Sequence, residues 1–163
     1  MSYYEEYKDL LGRKYVAGEN DCYGLVKDYY KKIFDLELTD YARPEGFADF
    51  GIDLIVDNLL DEGFQMVDVP TPNLMRGDGL LFRVNGSTLT NHVGVYVGNG
   101  YFIHHLWNGL SNEEAMTTKW RGRVSSVVRH PDVYTKARVP TERLSIMDFI
   151  PEHIKAIHNA TFD

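Results

Sequence analysis

His92-Val93-Gly94-Val95-Tyr96-Val97-Gly98-Asn99-Gly100-Tyr101-Phe102-Ile103-His104-His105 decides the fold of this chain. Two short runs rich in β-branched and aromatic residues flank a Gly-Asn-Gly turn signal, so they read as an antiparallel hairpin. A histidine opens the first strand, where its side chain can face a cleft, and two more close the second. Side chains alternate along a strand. His104 and His105 therefore cannot both point into one site, and at most one of them orients His92.

Upstream, Gly18-Glu19-Asn20-Asp21 is a polar turn, after which apolar residues recur at helical spacing at Cys22, Leu25, Val26, Tyr29, Tyr30 and Ile33. Asp21 occupies the position of a helix N-cap, so the helix begins at or just before Cys22. A thiol there lies near the positive end of the helix dipole and near unpaired backbone N–H groups, both of which favour thiolate. Asp21 itself opposes that charge and is assigned to ordering the turn. A lone cysteine is more often a small buried hydrophobe than a nucleophile. A thiol nucleophile also needs an imidazole within reach and a third polar group to orient that imidazole. The hairpin histidines supply both.

Elsewhere, Ser2 to Leu11 has helical spacing that ends at Gly12, and Ile52 to Leu60 has it again before Gly63. Leu38 to Phe50, with Pro44 and Gly46, reads as a loop. Phe64 to Val69, Gly79 to Val84, His92 to Val97, Tyr101 to Leu106 and Val124 to Arg129 read as strands, with Asp78 as a turn former before the second of them. Helices first and strands later predict an α+β domain over residues 1–130. Residues 131–163, with a helix-like run at Ile150, Ile154 and Ile157, read as a C-terminal tail that docks on the domain or on a partner. The tyrosine cluster of the front helices reads as core packing rather than a sugar platform.

The chain has 163 residues, 44% of them hydrophobic and 13% aromatic, enough for one core. A net charge of −7 with scattered acids lacks the basic stripe that nucleic acid requires. No apolar run approaches membrane-spanning length, the start has neither the basic nor the apolar part of a secretory signal, and one cysteine cannot form an internal disulfide. No His-Glu-x-x-His or paired cysteines call for a metal. Synthesis is expected to end in a cytoplasm.

Asn20-Asp21-Cys22-Tyr23-Gly24-Leu25-Val26, Gly77-Asp78-Gly79-Leu80-Leu81-Phe82, the block His92 to Gly100, and Phe102-Ile103-His104 together resemble, in order, the NlpC family of papain-like cell-wall endopeptidases. The resemblance runs from about Gly12 to His130. It implies a papain-like α+β fold whose nucleophile begins a helix packed on an antiparallel sheet. It also implies a cofactor-free cysteine peptidase with nucleophile Cys22, base His92 and orienting residue His104. Tyr15 matches a tyrosine that lies near the sulfur in that family.

Tyr23 replaces the usual serine after the nucleophile, and His105 follows the third position. Both, like Trp120-Arg121-Gly122-Arg123, are similar to the branch found in tail-tip proteins of long-tailed phages. Tyr23, His105 and Trp107 are the candidates for lining a substrate cleft, and for Trp107 ordinary packing at a strand end is an equal reading. The resemblance implies peptidoglycan stem peptides as substrate, at the bond between D-glutamate and the diamino acid, other tail-tip proteins as partners, and a place in the virion tail tip. The rival expectations are a non-enzymatic tail-tip assembly subunit that keeps the hydrolase fold, and a host cell-wall endopeptidase.

Overall fold

The computed structural model describes residues 3–43, 54–68 and 73–133. Its centre is the predicted hairpin: β3 (His92–Gly98) pairs antiparallel with β4 (Tyr101–His104) in the register Gly94 opposite His104 and Val95 opposite Ile103. Gly98, Asn99 and Gly100 all have positive φ (96°, 55° and 83°), which a Gly-Asn-Gly turn accommodates. Around this hairpin lie β1 (Gln65–Val67), β2 (Gly79–Phe82), β5 (Asn112–Ala115) and β6 (Val124–Arg129). The six strands form one antiparallel sheet in the order β1-β6-β2-β3-β4-β5.

Four helices complete the described elements: α1 (Tyr4–Tyr7), α2 (Cys22–Phe34), α3 (Leu54–Asp61) and α4 (Thr118–Arg121). The long helix α2 lies on β3 and buries Leu25, Val26, Tyr29 and Tyr30 against Val93, Val95, Val97 and Ile103. Each fully buried aliphatic side chain of this kind stabilises by about 1.5–3 kcal/mol. Lys31 and Lys32 in the last turn of α2 complement the helix dipole, and Asp35 ends the helix in the left-handed conformation. The opposite face of the sheet carries a second cluster, in which Leu80, Phe82 and Phe102 pack with Met116 and Trp120.

Several expected boundaries move. The helix expected over Ser2 to Leu11 is only α1 followed by a 3₁₀ turn at Lys8–Leu10. The strands expected to reach Val84 and Leu106 stop at Phe82 and His104. Of the strand expected over Phe64 to Val69, Gln65–Val67 forms; Phe64 instead turns into the core against Tyr30 and His130, and Val69 lies outside the described residues. Asp78 does form the turn before β2, accepting the Met75 N–H, and its carboxylate is also gripped by Arg129 at 2.7 and 2.8 Å, which ties β2 to β6. Of the front tyrosines expected in the core, Tyr7, Tyr29 and Tyr30 are buried there, Tyr3 is half-buried, and Tyr4 is exposed.

Within the described residues the core continues past His130 to Val133, which is 1% exposed and lies against Phe34 and Gly77. The start of the predicted helix at Ile52, the loop from Pro44 to Phe50, and the tail beyond Val133 with its helix-like run lie outside the described residues. Among the described residues no helix is long and apolar enough to cross a membrane.

Candidate active site

Cys22 is the first residue of α2, as its sequence context predicts, and Asp21 is the N-cap. One Asp21 oxygen accepts the Gly24 N–H at 2.8 Å and the other accepts the Gly18 N–H at 3.1 Å, so the carboxylate closes the turn from both sides. Gly24 is needed for a second reason. A Cβ there would stand 1.9 Å from the Glu19 carbonyl oxygen, so only glycine lets the 18–21 turn lie this close to the helix.

The charge of Asp21 is met by Arg43, a residue that the sequence pattern does not single out. Its Nε donates to Asp21 at 2.8 Å and its Nη2 at 3.1 Å, while other guanidinium N–H groups donate to the carbonyls of Gly18 and Tyr41 and to Asp40. Both partners of the Arg43–Asp21 pair have side chains only 2% exposed. The guanidinium also lies 4.8 Å above the Tyr23 ring. Tyr23 points into the core, 1% exposed, with its hydroxyl donating to the Thr39 carbonyl at 2.8 Å. It therefore braces the Arg43 loop and does not form a cleft wall.

The sulfur is buried and neutral. Burial, followed by the Asp21 charge, pushes the Cys22 thiol up to about 12, although the backbone N–H groups of Val93 and Tyr23 and the Arg43 charge pull the other way. The helix dipole that favours thiolate is thus outweighed by desolvation. With a raised value the thiolate fraction, and with it alkylation by iodoacetamide, should climb continuously through neutral and moderately alkaline pH. An alkylation midpoint at or below about 8.5, the value of an ordinary free thiol, would contradict this placement of the sulfur.

Val93 N–H places the sulfur beside the first residues of β3, next in sequence to His92. Among the described residues no hydrogen bond joins Sγ to the His92 ring. Such contacts are commonly long in unliganded sites and tighten when substrate binds. His92 and His104 share the other face of the hairpin as diagonal neighbours, with His92 Nε2 and His104 Nδ1 3.0 Å apart. His104 Nε2 lies in turn 3.2 Å from Glu114 Oε1. Asn112 Nδ2 donates to the same oxygen, and Trp120 Nε1 donates to the other one.

Burial, then the neighbouring His104 and His105, hold His92 well below the usual imidazole value. Burial lowers His104 too, against the opposing pull of Glu114. Both rings are therefore neutral at pH 7. Burial opposes the Glu114 charge, but the hydrogen bonds from Asn112, Trp120 and His104 outweigh it and keep the carboxyl below its usual range. A neutral imidazole held this way can act as a general base through the nitrogen not engaged with its neighbour.

His105 is 1% exposed and separate from this pair. Its Nε2–H donates to the Gly109 carbonyl at 3.0 Å, and the edge of its ring meets Tyr15 with centroids 5.5 Å apart. Beside them is an open depression of about 340 Å³ lined by Lys14, Tyr15, Asn108, Gly109 and Leu110. Trp107, 64% exposed, stands free of the core on the loop that His105 fastens. Among the described residues no group of three or more His, Cys, Asp or Glu side chains is placed to hold a metal.

The helix-start cysteine, the sheet and the paired histidines are the features of a papain-like α+β hydrolase fold. The chain belongs to the NlpC/P60 family, whose profile matches residues 12–129. Among known proteins it is similar to tail tip assembly protein K of Escherichia phage lambda, 36% identical over 121 residues that cover 74% of this chain and 59% of that protein. It is also similar to murein DD-endopeptidase MepS/murein LD-carboxypeptidase of Escherichia coli (strain K12), 32% identical over 107 residues, 61% of this chain and 46% of that one. The chain thus spans about half the length of these curated relatives. A solved structure, NlpC1 from Trichomonas vaginalis, superposes with a TM-score of 0.51 at 28% identity, covering 77% of this chain and 41% of that one.

Proposed function

We propose that this protein is a cysteine endopeptidase that hydrolyses peptidoglycan stem peptides, at the bond between D-glutamate and the diamino acid, as a component of a phage tail tip with a part in tail assembly. The observation that carries the reading is the relay behind His92: a buried histidine pair ending on a carboxylate, on a hairpin whose first residues meet the Cys22 sulfur. A subunit that served only as a scaffold would not need such a relay. The relatives supply the setting, since one is a tail tip assembly protein and another a murein endopeptidase.

In the proposed reaction the substrate carbonyl carbon approaches Sγ, and His92 Nδ1 takes the thiol proton as the carbon–sulfur bond forms. Transfer coupled to attack suits a site whose resting groups are a neutral thiol and a neutral imidazole. Backbone N–H groups at the start of α2 stabilise the oxyanion. The imidazolium returns its proton to the leaving amine, giving a thioester on Cys22. Water, losing a proton to His92, then attacks the thioester and releases the carboxylic acid and the thiol. Tyr15, which lines the open depression, and Trp107, exposed on the neighbouring loop, are the side chains proposed to border the bound peptide, whereas His105, expected there from the sequence, is buried and holds that loop through Gly109.

A second reading, that the subunit works in tail assembly without catalysis, is favoured by the neutral, buried thiol and by the absence of a sulfur–imidazole hydrogen bond among the described residues. Cys22→Ala separates the two. Under the enzyme reading the variant releases no wall peptides from purified peptidoglycan while tails assemble in normal numbers. If the wild-type protein, including protein on assembled tails, releases nothing and the variant still supports infection, the enzyme reading is lost.

A further inference from the structure

We propose that Glu114 is the positioning residue that sets the order of protons along the histidine relay, and so decides which nitrogen of His92 is free to act as base. This rests on the proposed cysteine-peptidase reading for its catalytic meaning, but not for its structural content.

The far end of the relay fixes the proton order. Trp120 Nε1–H is a donor only, so the Glu114 oxygen that it meets must accept. The other Glu114 oxygen is met by the Asn112 amide at 3.2 Å and by His104 Nε2 at 3.2 Å. An ionised carboxylate has lone pairs and no proton, so His104 Nε2 must carry the hydrogen. In a neutral ring this leaves a lone pair on Nδ1 of His104. His92 Nε2, 3.0 Å away, must then carry the hydrogen that fills the gap. Neutral His92 is thereby left with a lone pair on Nδ1, the nitrogen that can accept a proton from sulfur. One carboxylate fixes two tautomers in series.

Nothing in the arrangement lets the carboxylate turn over. Helix α4 is capped by the Thr117 hydroxyl and carries Trp120, 5% exposed, edge-on to His104 with centroids 4.9 Å apart. Strand β5 holds Asn112 and Glu114 on one face, with Asn112 opposite His104 and Glu114 opposite Phe102. The face of β5 and the short helix thus come together on one carboxylate, and among the described residues its histidine partner is His104.

Glu114→Gln tests this because it conserves shape while removing one acceptor. Trp120 can still be satisfied only by the amide oxygen, which turns the NH₂ toward His104 and Asn112, and the Asn112 amide turns over so that its own oxygen accepts. His104 then presents a lone pair at Nε2 and a hydrogen at Nδ1, His92 accepts at Nε2, and its own hydrogen moves to Nδ1, where it blocks the base. Ring nitrogen chemical shifts of nitrogen-15 histidine read these tautomers directly in the resting protein, without turnover. The wild type should show His92 protonated on Nε2, and Glu114→Gln should show it protonated on Nδ1. Cleavage should fall by about 10²–10⁴-fold, by analogy with the wrong-tautomer effect in other triads.

Glu114→Gln combined with Trp120→Phe frees the amide oxygen to face His104. It should return His92 to the wild-type tautomer and recover part of the rate, which mere damage to packing would not do. A wild-type His92 protonated on Nδ1, or no change of tautomer in Glu114→Gln, overturns the proposal. A tautomer exchange as described in a protein that releases no wall peptide leaves the proposal standing and removes the peptidase reading. Wall-peptide release with unchanged tautomers does the reverse.

Discussion

Replacing His92 by alanine is expected to lower kcat/KM for stem-peptide cleavage by about 10³–10⁴-fold, the share of the rate that a positioned base supplies. Among the described residues no other side chain is placed to take over. His104 Nδ1 is engaged with His92 Nε2, and His105 donates its Nε2–H to the Gly109 carbonyl and lies against Tyr15. Since Cys22 is held neutral by burial, losing the base removes the proposed route by which the sulfur sheds its proton as it attacks. Truncation of a ring packed against Phe82 and His104 also leaves a cavity. His92→Gln, which keeps most of the volume, should therefore show a similar loss of rate with a smaller change in melting temperature. A His92→Ala variant that stays folded and retains more than about a tenth of the wild-type rate would contradict the assignment of the base.

Arg43→Ala is expected to give the largest loss of stability, about 3–5 kcal/mol, because it leaves the buried Asp21 charge unpaired. Arg43 satisfies Asp21 through two N–H groups and also ties down the carbonyls of Gly18 and Tyr41, so its removal frees two groups at the start of α2 and one in its own loop at once. Asp21→Ala should cost a similar amount, since it strands the guanidinium and removes the cap from Gly24. In urea unfolding the double variant should be clearly more stable than the sum of the two single losses predicts, as expected for partners in one ion pair. Single-variant losses below about 1 kcal/mol, or simple additivity, would show that the pair does not hold the turn. Domains of this kind are stable by only about 5–15 kcal/mol, so either change brings the protein near its unfolding threshold.

The parts of the fold legible in the sequence are those fixed by local chemistry. Asp21 before an apolar helical stripe marks the start of α2, and Gly98-Asn99-Gly100 marks the hairpin, because both signals act within a few residues. Cys22 and His92 stand out as candidates once those two elements are placed, whereas the choice of His104 over His105 comes only from the resemblance to the NlpC family. Strand β5 is not legible, because Asn112-Glu113-Glu114-Ala115 has little β propensity and becomes a strand only through pairing with β4 at the sheet edge. Glu114 is therefore missed as well, although it ends the relay.

Arg43 is missed for a related reason. It lies 22 positions from Asp21, in a stretch whose Pro44 and Gly46 read only as a loop, and a buried ion pair at that separation leaves no periodic trace. Tyr23 reads as the mark of a phage-type branch. Its structural work, bracing Arg43 from within the core, follows from burial that the motif does not encode. The neutral thiol is likewise invisible in the sequence: position at a helix start argues for thiolate, and the packing around the sulfur reverses it.

Attack of Cys22 on a wall peptide with the help of His92 leaves a covalent intermediate that can be trapped. The purified protein is mixed with a muropeptide bearing the stem peptide, quenched in acid within a turnover, and its mass is measured. The account predicts an added acyl mass that maps to the peptide containing Cys22, accumulates in the wild type and is absent in Cys22→Ala. Release of the cleaved muropeptide by Cys22→Ala at the wild-type rate, with no adduct on Cys22 in either protein, would contradict it.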